Sequence, residues 1–221
     1  VIQHLLFDND GTLVDSEIIA VRTMLKCLAE YGLVLDEKTY SARYPGLRER
    51  DILASLQLEH GIHLPDSIID AIKQEHAVAF QTTLRSIKGM PGIFRETKVP
   101  RSVVSNGSVR HVERSLKKVR LRSALNGQIF SAEHVQNPKP FPDVYLYALE
   151  QLQLRANHVL VIEDSPTGVQ SAKAAGLIVV GFLGAAHIHD GHAEKLQDLG
   201  ADYIAADAPA LRLILAAKQL I

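Results

Sequence analysis

Apolar and polar residues are patterned in two styles along this chain. From residue 15 to about 86 the apolar positions recur at helical spacing. Ile18, Val21, Leu25 and Leu28 lead to Gly32; Ile52, Leu53, Leu56 and His60 lead to Gly61; Ile68, Ile69, Ile72, His76 and Phe80 follow Pro65 and Asp66. A period of three to four places such positions on one helix face, and a glycine after the last of them is a common helix stop. No strand is predicted in this block.

Elsewhere, short apolar runs alternate with helical stretches. Strands are predicted at 2–7, 102–105, 128–131, 159–162, 178–182 and 202–204, with helices near 109–116, 143–152 and 167–175. Such alternation predicts an α/β fold, a doubly wound parallel sheet with helices on both faces. The helical block then reads as an insertion: residues 1–14 and 87–221 form an α/β core, and 15–86 an α-helical cap. Its connections, 14–16 and 88–92, read as loops and hinge candidates, the second because it contains Gly89-Met90-Pro91-Gly92.

In a parallel sheet the chemistry collects beyond the carboxyl ends of the strands. The first strand runs into Asp8-Asn9-Asp10-Gly11-Thr12. Asp8 and Asp10 leave it on one side, and Gly11 lets the chain turn away. One carboxylate could attack while the other handles a proton, although the same residues also make solvated turns. Ser105-Asn106-Gly107-Ser108 follows the second strand, either as a phosphate contact at a helix start or as an ordinary N-cap. Lys139, between Pro138 and Pro140, has its backbone restricted on both sides; it is either aimed at one place or part of a rigid surface loop. The fourth strand ends at Glu163-Asp164-Ser165, and Asp8 with Asp164 could offer magnesium two oxygen ligands.

Composition narrows the ligand. Lysine and arginine number 24 against 25 acidic residues, a formal net charge of −1. That balance leaves no footprint for nucleic acid or an anionic membrane, and a small molecule is the expected partner. Cys27 is the only cysteine, so no internal disulfide is possible, and no apolar run approaches a membrane span of about 18 residues. With a strand so near Val1 no signal peptide is expected, and the expectation is a cytoplasmic monomer.

Taken together, Phe7-Asp8-Asn9-Asp10-Gly11-Thr12-Leu13, Ser105-Asn106, Lys139-Pro140 and Glu163-Asp164 resemble the haloacid dehalogenase superfamily of phosphatases, in its branch with an inserted helical cap. The resemblance spans essentially the whole chain. It implies that Asp8 attacks phosphorus to give an aspartyl-phosphate, and that Asp10 serves as general acid and then base. It also implies magnesium held by the Asp8 and Asp164 carboxylates and the Asp10 carbonyl. Ser105, Asn106 and Lys139 would clamp the phosphate, and Glu163 would orient Lys139 or a magnesium-bound water. The expected reaction is hydrolysis of a small phosphorylated metabolite, a sugar or organic-acid phosphate.

Two other functions share these motifs. A sugar-phosphate mutase of the β-phosphoglucomutase kind carries a cap arginine three residues after a glycine; here Arg48 stands two after Gly46. Arg48 is either a cap-side substrate contact or a solvated charge. A phosphate-accepting receiver module has no helical insertion of this length, and against a non-catalytic binding protein of this fold stand the intact residues of all four motifs. His187, His189 and His192 have short spacings of the kind zinc uses, but the segment 184–192 reads as a solvated loop.

Overall fold

The computed structural model describes residues 1–44 and 49–221. The chain divides into two units, one of Ser16–Leu84 and one of Val1–Asp15 with Arg85–Ile221.

The smaller unit is helical among its described residues: α1 (Glu17–Ala29), α2 (Glu37–Arg43), α3 (Glu49–His60) and α4 (Ile68–Thr83). Met24, Cys27 and Leu28 of α1 pack with Ile52, Leu53 and Leu56 of α3 and Ile68 and Ile72 of α4. Gly32 and Gly61 follow the ends of α1 and α3, as the spacing predicts. Helix α2 has no counterpart among the predicted elements. It is seven residues long, too short for a period to declare itself, and starts at Asp36, whose side chain accepts the Thr39 N–H at 2.8 Å.

The larger unit holds six parallel strands: β1 (His4–Phe7), β2 (Arg101–Ser105), β3 (Ile129–Ser131), β4 (Val159–Glu163), β5 (Ile178–Phe182) and β6 (Tyr203–Ala205), in the order β3-β2-β1-β4-β5-β6. Its helices are α5 (Met90–Glu96), α6 (Val109–Lys118), α7 (Asp143–Leu152), α8 (Pro166–Ala174), α9 (His192–Asp198) and α10 (Ala208–Ala217). Strand ends fall within two residues of those predicted. β1 is paired on both edges, Phe7 standing opposite Val103 of β2 and Ile162 of β4. All four of its residues are buried, which is why Leu5-Leu6-Phe7 runs apolar without alternating. Leu6, Val104, Phe130, Val161 and Val179 share a core with Val144, Tyr145 and Ala148 of α7 and Val169 and Ala172 of α8. Phe7 meets Phe94 of α5 edge-on, with ring centroids 5.1 Å apart.

Three of these helices differ from the expectation. Met90-Pro91-Gly92, expected as part of a hinge loop, is the first turn of α5. Proline is tolerated in a first turn, whose N–H groups have no helical acceptor, and Met90, Ile93 and Phe94 are buried at helical spacing. Helices α9 and α10 stand in segments whose spacing predicts no helix. Asp207 caps α10 by accepting the Ala210 N–H at 2.8 Å. Among the described residues no helix is long and apolar enough to cross a membrane.

Candidate active site

The sheet order reverses direction between β1 and β4, and such a switch point opens a crevice beyond the strand ends. Asp8 extends the β1 ladder into it, its N–H donating to the Ile162 carbonyl at 2.9 Å. The chain then turns at Gly11, where φ is +85°, and the Leu13 and Val14 N–H groups donate to the Asn9 carbonyl at 2.9 and 3.0 Å. The Asn9 amide oxygen accepts from Ser115 Oγ at 2.9 Å, which ties the turn to α6.

Lys139 is the hub of the site. Its Nζ donates to Asp8 Oδ1 at 2.7 Å, to Glu163 Oε1 at 2.7 Å and to the Val104 carbonyl at 3.0 Å. Those bonds use all three ammonium protons. Its main chain is gripped by Asn106, whose Oδ1 accepts the Lys139 N–H at 2.9 Å while Nδ2 donates to the Lys139 carbonyl at 3.1 Å. Asn106 therefore grips Lys139 with its amide oxygen and one of its two amide N–H groups, which leaves the second N–H and the backbone as donors to an incoming ligand. Ser105 is buried at the end of β2, and its Oγ accepts the Gly107 N–H at 2.9 Å.

Glu163, the last residue of β4, and Asp164, which follows it, are separately fixed. Glu163 is fully buried, and its Oε2 accepts from the Ser165 N–H at 2.8 Å and Oγ at 3.1 Å. Asp164 Oδ1 accepts from Thr12 Oγ1 at 2.9 Å. A Cβ on Gly168 would lie 1.5 Å from Glu163 Oε1, and one on Gly11 would lie 2.0 Å from Asp164 Oδ2. Each glycine leaves the volume that a carboxylate fills.

Asp8, Glu163 and Asp164 each bring a carboxylate oxygen to within 4.8 Å of the others. The single ammonium of Lys139 bonds two of these three carboxylates, and all four groups are buried. Burial pushes the Asp8 carboxyl well up, Lys139 opposes that, and Glu163, Asp164 and Asp10 add to it. Burial also works against the Lys139 charge, but Asp8 and Glu163 outweigh it and hold the ammonium well above its usual value. An all-oxygen donor set with surplus buried negative charge suits a hard divalent cation, whose charge would offset the excess.

Two sets of side-chain contacts have no forerunner in the sequence motifs. Asp10 Oδ1 lies 3.0 Å from Nε2 of His111, in the first turn of α6. The only sequence signal for His111 is its place just after Ser105-Asn106-Gly107-Ser108. The loop expected to be solvated at 184–192 instead packs histidines on Asp164. His187 Nε2 lies 3.4 Å from Asp164 Oδ2, and His192, the first residue of α9, donates from Nε2 to the Asp164 carbonyl at 2.6 Å. A carbonyl only accepts, so that nitrogen carries the proton. Burial lowers the His192 pKa, with its bond to Asp164 opposing the shift. Among the described residues no histidine joins the acidic set. Arg48 lies outside the described residues.

Residues 5–182 match the family model of the haloacid dehalogenase-like hydrolases. The 6-phosphogluconate phosphatase of Escherichia coli (strain K12) is 30% identical over 187 residues, 84% of this chain and 85% of its own. Hexitol phosphatase A of the same organism is 31% identical over 183 residues, 79% of this chain and 80% of its own. The crystal structure of a haloacid dehalogenase family hydrolase from Deinococcus radiodurans R1, with bound phosphate and sodium, is similar at a TM-score of 0.91 and 32% identity, over 100% of this chain and 97% of that one.

Proposed function

The chain belongs to the haloacid dehalogenase-like hydrolases and is a phosphatase of that family, and from that premise we propose that it hydrolyses sugar or sugar-acid phosphates through an aspartyl-phosphate on Asp8. The observation that carries this reading is the Asp8 carboxylate itself. Lys139 holds its Oδ1 at 2.7 Å, at the mouth of the switch point, with Asp164 alongside.

Asp8 attacks phosphorus through its other oxygen, Oδ2. The bond from phosphorus to the ester oxygen breaks, and Asp10 gives its proton to the leaving alkoxide. Asp10, now a carboxylate, takes a proton from water; the water oxygen attacks phosphorus, the bond to Asp8 breaks, and phosphate departs with both aspartates restored. Two positioned displacements replace one for which the uncatalysed barrier is so high that enhancements reach ~10²¹-fold. Lys139 lessens the repulsion between Asp8 and a phosphate dianion, and Glu163 keeps Lys139 in place. Ser105 and Asn106 contact the phosphate oxygens.

Magnesium is the cofactor of this proposal, held by the Asp8 and Asp164 carboxylates and the Asp10 carbonyl. When bound it would neutralise phosphoryl charge. Substrate choice is assigned to the helical insertion, proposed as the cap at 15–86, with Arg48 as a substrate contact there. The E. coli relatives named above support a phosphorylated sugar acid or sugar alcohol as the first substrates to try.

Phosphate release should be measured with Mg²⁺ from 6-phosphogluconate, hexitol phosphates, other sugar and organic-acid phosphates, and β-glucose 1-phosphate. Hydrolysis of at least one sugar or sugar-acid phosphate, abolished in Asp8→Asn, is the expected result. Turnover retained by Asp8→Asn would sink the nucleophile assignment. Conversion of β-glucose 1-phosphate to its 6-phosphate without net phosphate release would replace the hydrolase by a mutase.

A further inference from the structure

We infer that His111 is a positioning residue that fixes the orientation of the Asp10 carboxyl group for proton transfer. The inference rests on the reading of Asp10 as acid and base. A proton must leave that carboxyl along one line towards the ester oxygen, yet the χ2 torsion of aspartate is broad and roughly two-fold. The 3.0 Å contact between His111 Nε2 and Asp10 Oδ1 removes that freedom.

Both ends of this contact stand on separately fixed backbone. On the Asp10 side, the turn is closed by the Gly11 N–H donating to the Val14 carbonyl at 2.8 Å and by a bridge between Asp10 and Val14. On the His111 side, the N-cap Ser108 accepts the His111 N–H at 3.1 Å, and Glu133 Oε2 accepts the Val109 N–H at 2.9 Å. The ring itself lies against Gly107, where a Cβ would come within 3.0 Å of His111 Cδ2. Turn, helix start and ring are therefore all placed before any substrate arrives. The His111 and Asp10 side chains are 33% and 24% exposed, so water competes with the contact only in part. An imidazole N–H donates to a carboxyl oxygen whether that group is protonated or ionised, so one arrangement serves both halves of the reaction.

The leaving group provides the test. A sugar alkoxide needs a proton as it leaves; 2,4-dinitrophenolate does not. First-turnover release should be followed for both kinds of ester in the wild type, His111→Leu, His111→Gln and Asp10→Asn, each checked by thermal melting. General acid catalysis contributes ~10²–10⁴-fold, and a misdirected acid should forfeit about 10- to 100-fold of it. His111→Leu is expected to lose that much on the sugar phosphate with KM changed less than about threefold, to keep the rate on the dinitrophenyl ester, and to be largely rescued in His111→Gln, whose amide N–H can still donate. Equal losses on both esters, or no loss on either, would overturn the inference. If Asp10→Asn itself shows no leaving-group dependence, the reading of Asp10 fails; if it does and His111→Leu does not, only the role of His111 fails. Should His111→Leu not fold, His111→Asn, with a shorter reach, carries the same comparison, and each result is interpreted in the same way.

Discussion

Asn106 and Lys139 hold each other through a closed pair of hydrogen bonds, the amide oxygen of Asn106 on the Lys139 N–H at 2.9 Å and its amide nitrogen on the Lys139 carbonyl at 3.1 Å. The clasp joins the end of β2 to the loop after β3 and sets the root of the lysine that bonds Asp8. Asn106→Ala should lower kcat by about 10- to 100-fold, since a charge-stabilising donor near the reacting group is misplaced rather than removed. It should also lower stability by about 1–3 kcal/mol for two lost bonds. Steady-state kinetics and urea unfolding read the two effects; an unchanged kcat would refute the positioning.

Magnesium should stabilise this protein measurably. Binding to the folded state alone adds about 2.7 kcal/mol at a concentration 100 times the dissociation constant, read as a rise in melting midpoint that chelator reverses. Asp164→Asn removes one of the proposed ligands and should abolish most of the rise. A full rise in that variant would place the cation elsewhere.

Gly168→Ala puts a methyl carbon 1.5 Å from Glu163 Oε1. Glu163 has no surface to retreat to and is held by Lys139 and Ser165. The displaced carboxylate would break its bond to Lys139, and a broken buried ion pair costs about 3–5 kcal/mol. Denaturant unfolding should show a loss of that order, with activity falling alongside; a variant as stable as the wild type would mean that Glu163 relaxes freely.

His4 makes stability depend on acidity. It is buried in β1 with Nε2 2.9 Å from Ser102 Oγ, and burial lowers its pKa from 6.5 to about 4. Between those values the unfolded chain binds a proton that the folded chain does not, so stability rises with pH across the window. The contribution is complete above 6.5 and disappears as pH falls through about 4; one pKa unit corresponds to ~1.4 kcal/mol. Urea unfolding at pH 7.5 and 5 should show a smaller pH dependence in His4→Gln than in the wild type. Identical dependences would remove His4 as a source.

What could be read from the chain depended on whether one short run held the whole signal. Asp8 and Asp10 follow an apolar strand directly, and Glu163 ends another with Asp164 just after it, so local order carries the placement of all four carboxylates at the strand ends. Lys139 was visible as a restrained lysine, but its partners come from β1, β2 and β4 and meet only in the folded sheet. His111 looked like any residue in a helix start, because the contact that gives it meaning spans 101 positions. Helix α5 was hidden by Gly89-Met90-Pro91-Gly92, whose glycine and proline suggested a loop although a first helical turn accepts them. The histidines after β5 read as solvated because nothing local tells that their segment returns to Asp164.

The central place of β1 has a consequence during synthesis. Its neighbours begin at Arg101 and Val159, so a strand that is wholly buried in the finished sheet leaves the ribosome more than ninety residues before either edge can pair. At cellular elongation rates that interval is on the order of ten seconds, during which both edges lack their native partners. The insertion between β1 and β2 therefore lengthens the interval for which a strand buried in the finished sheet waits for both of its partners.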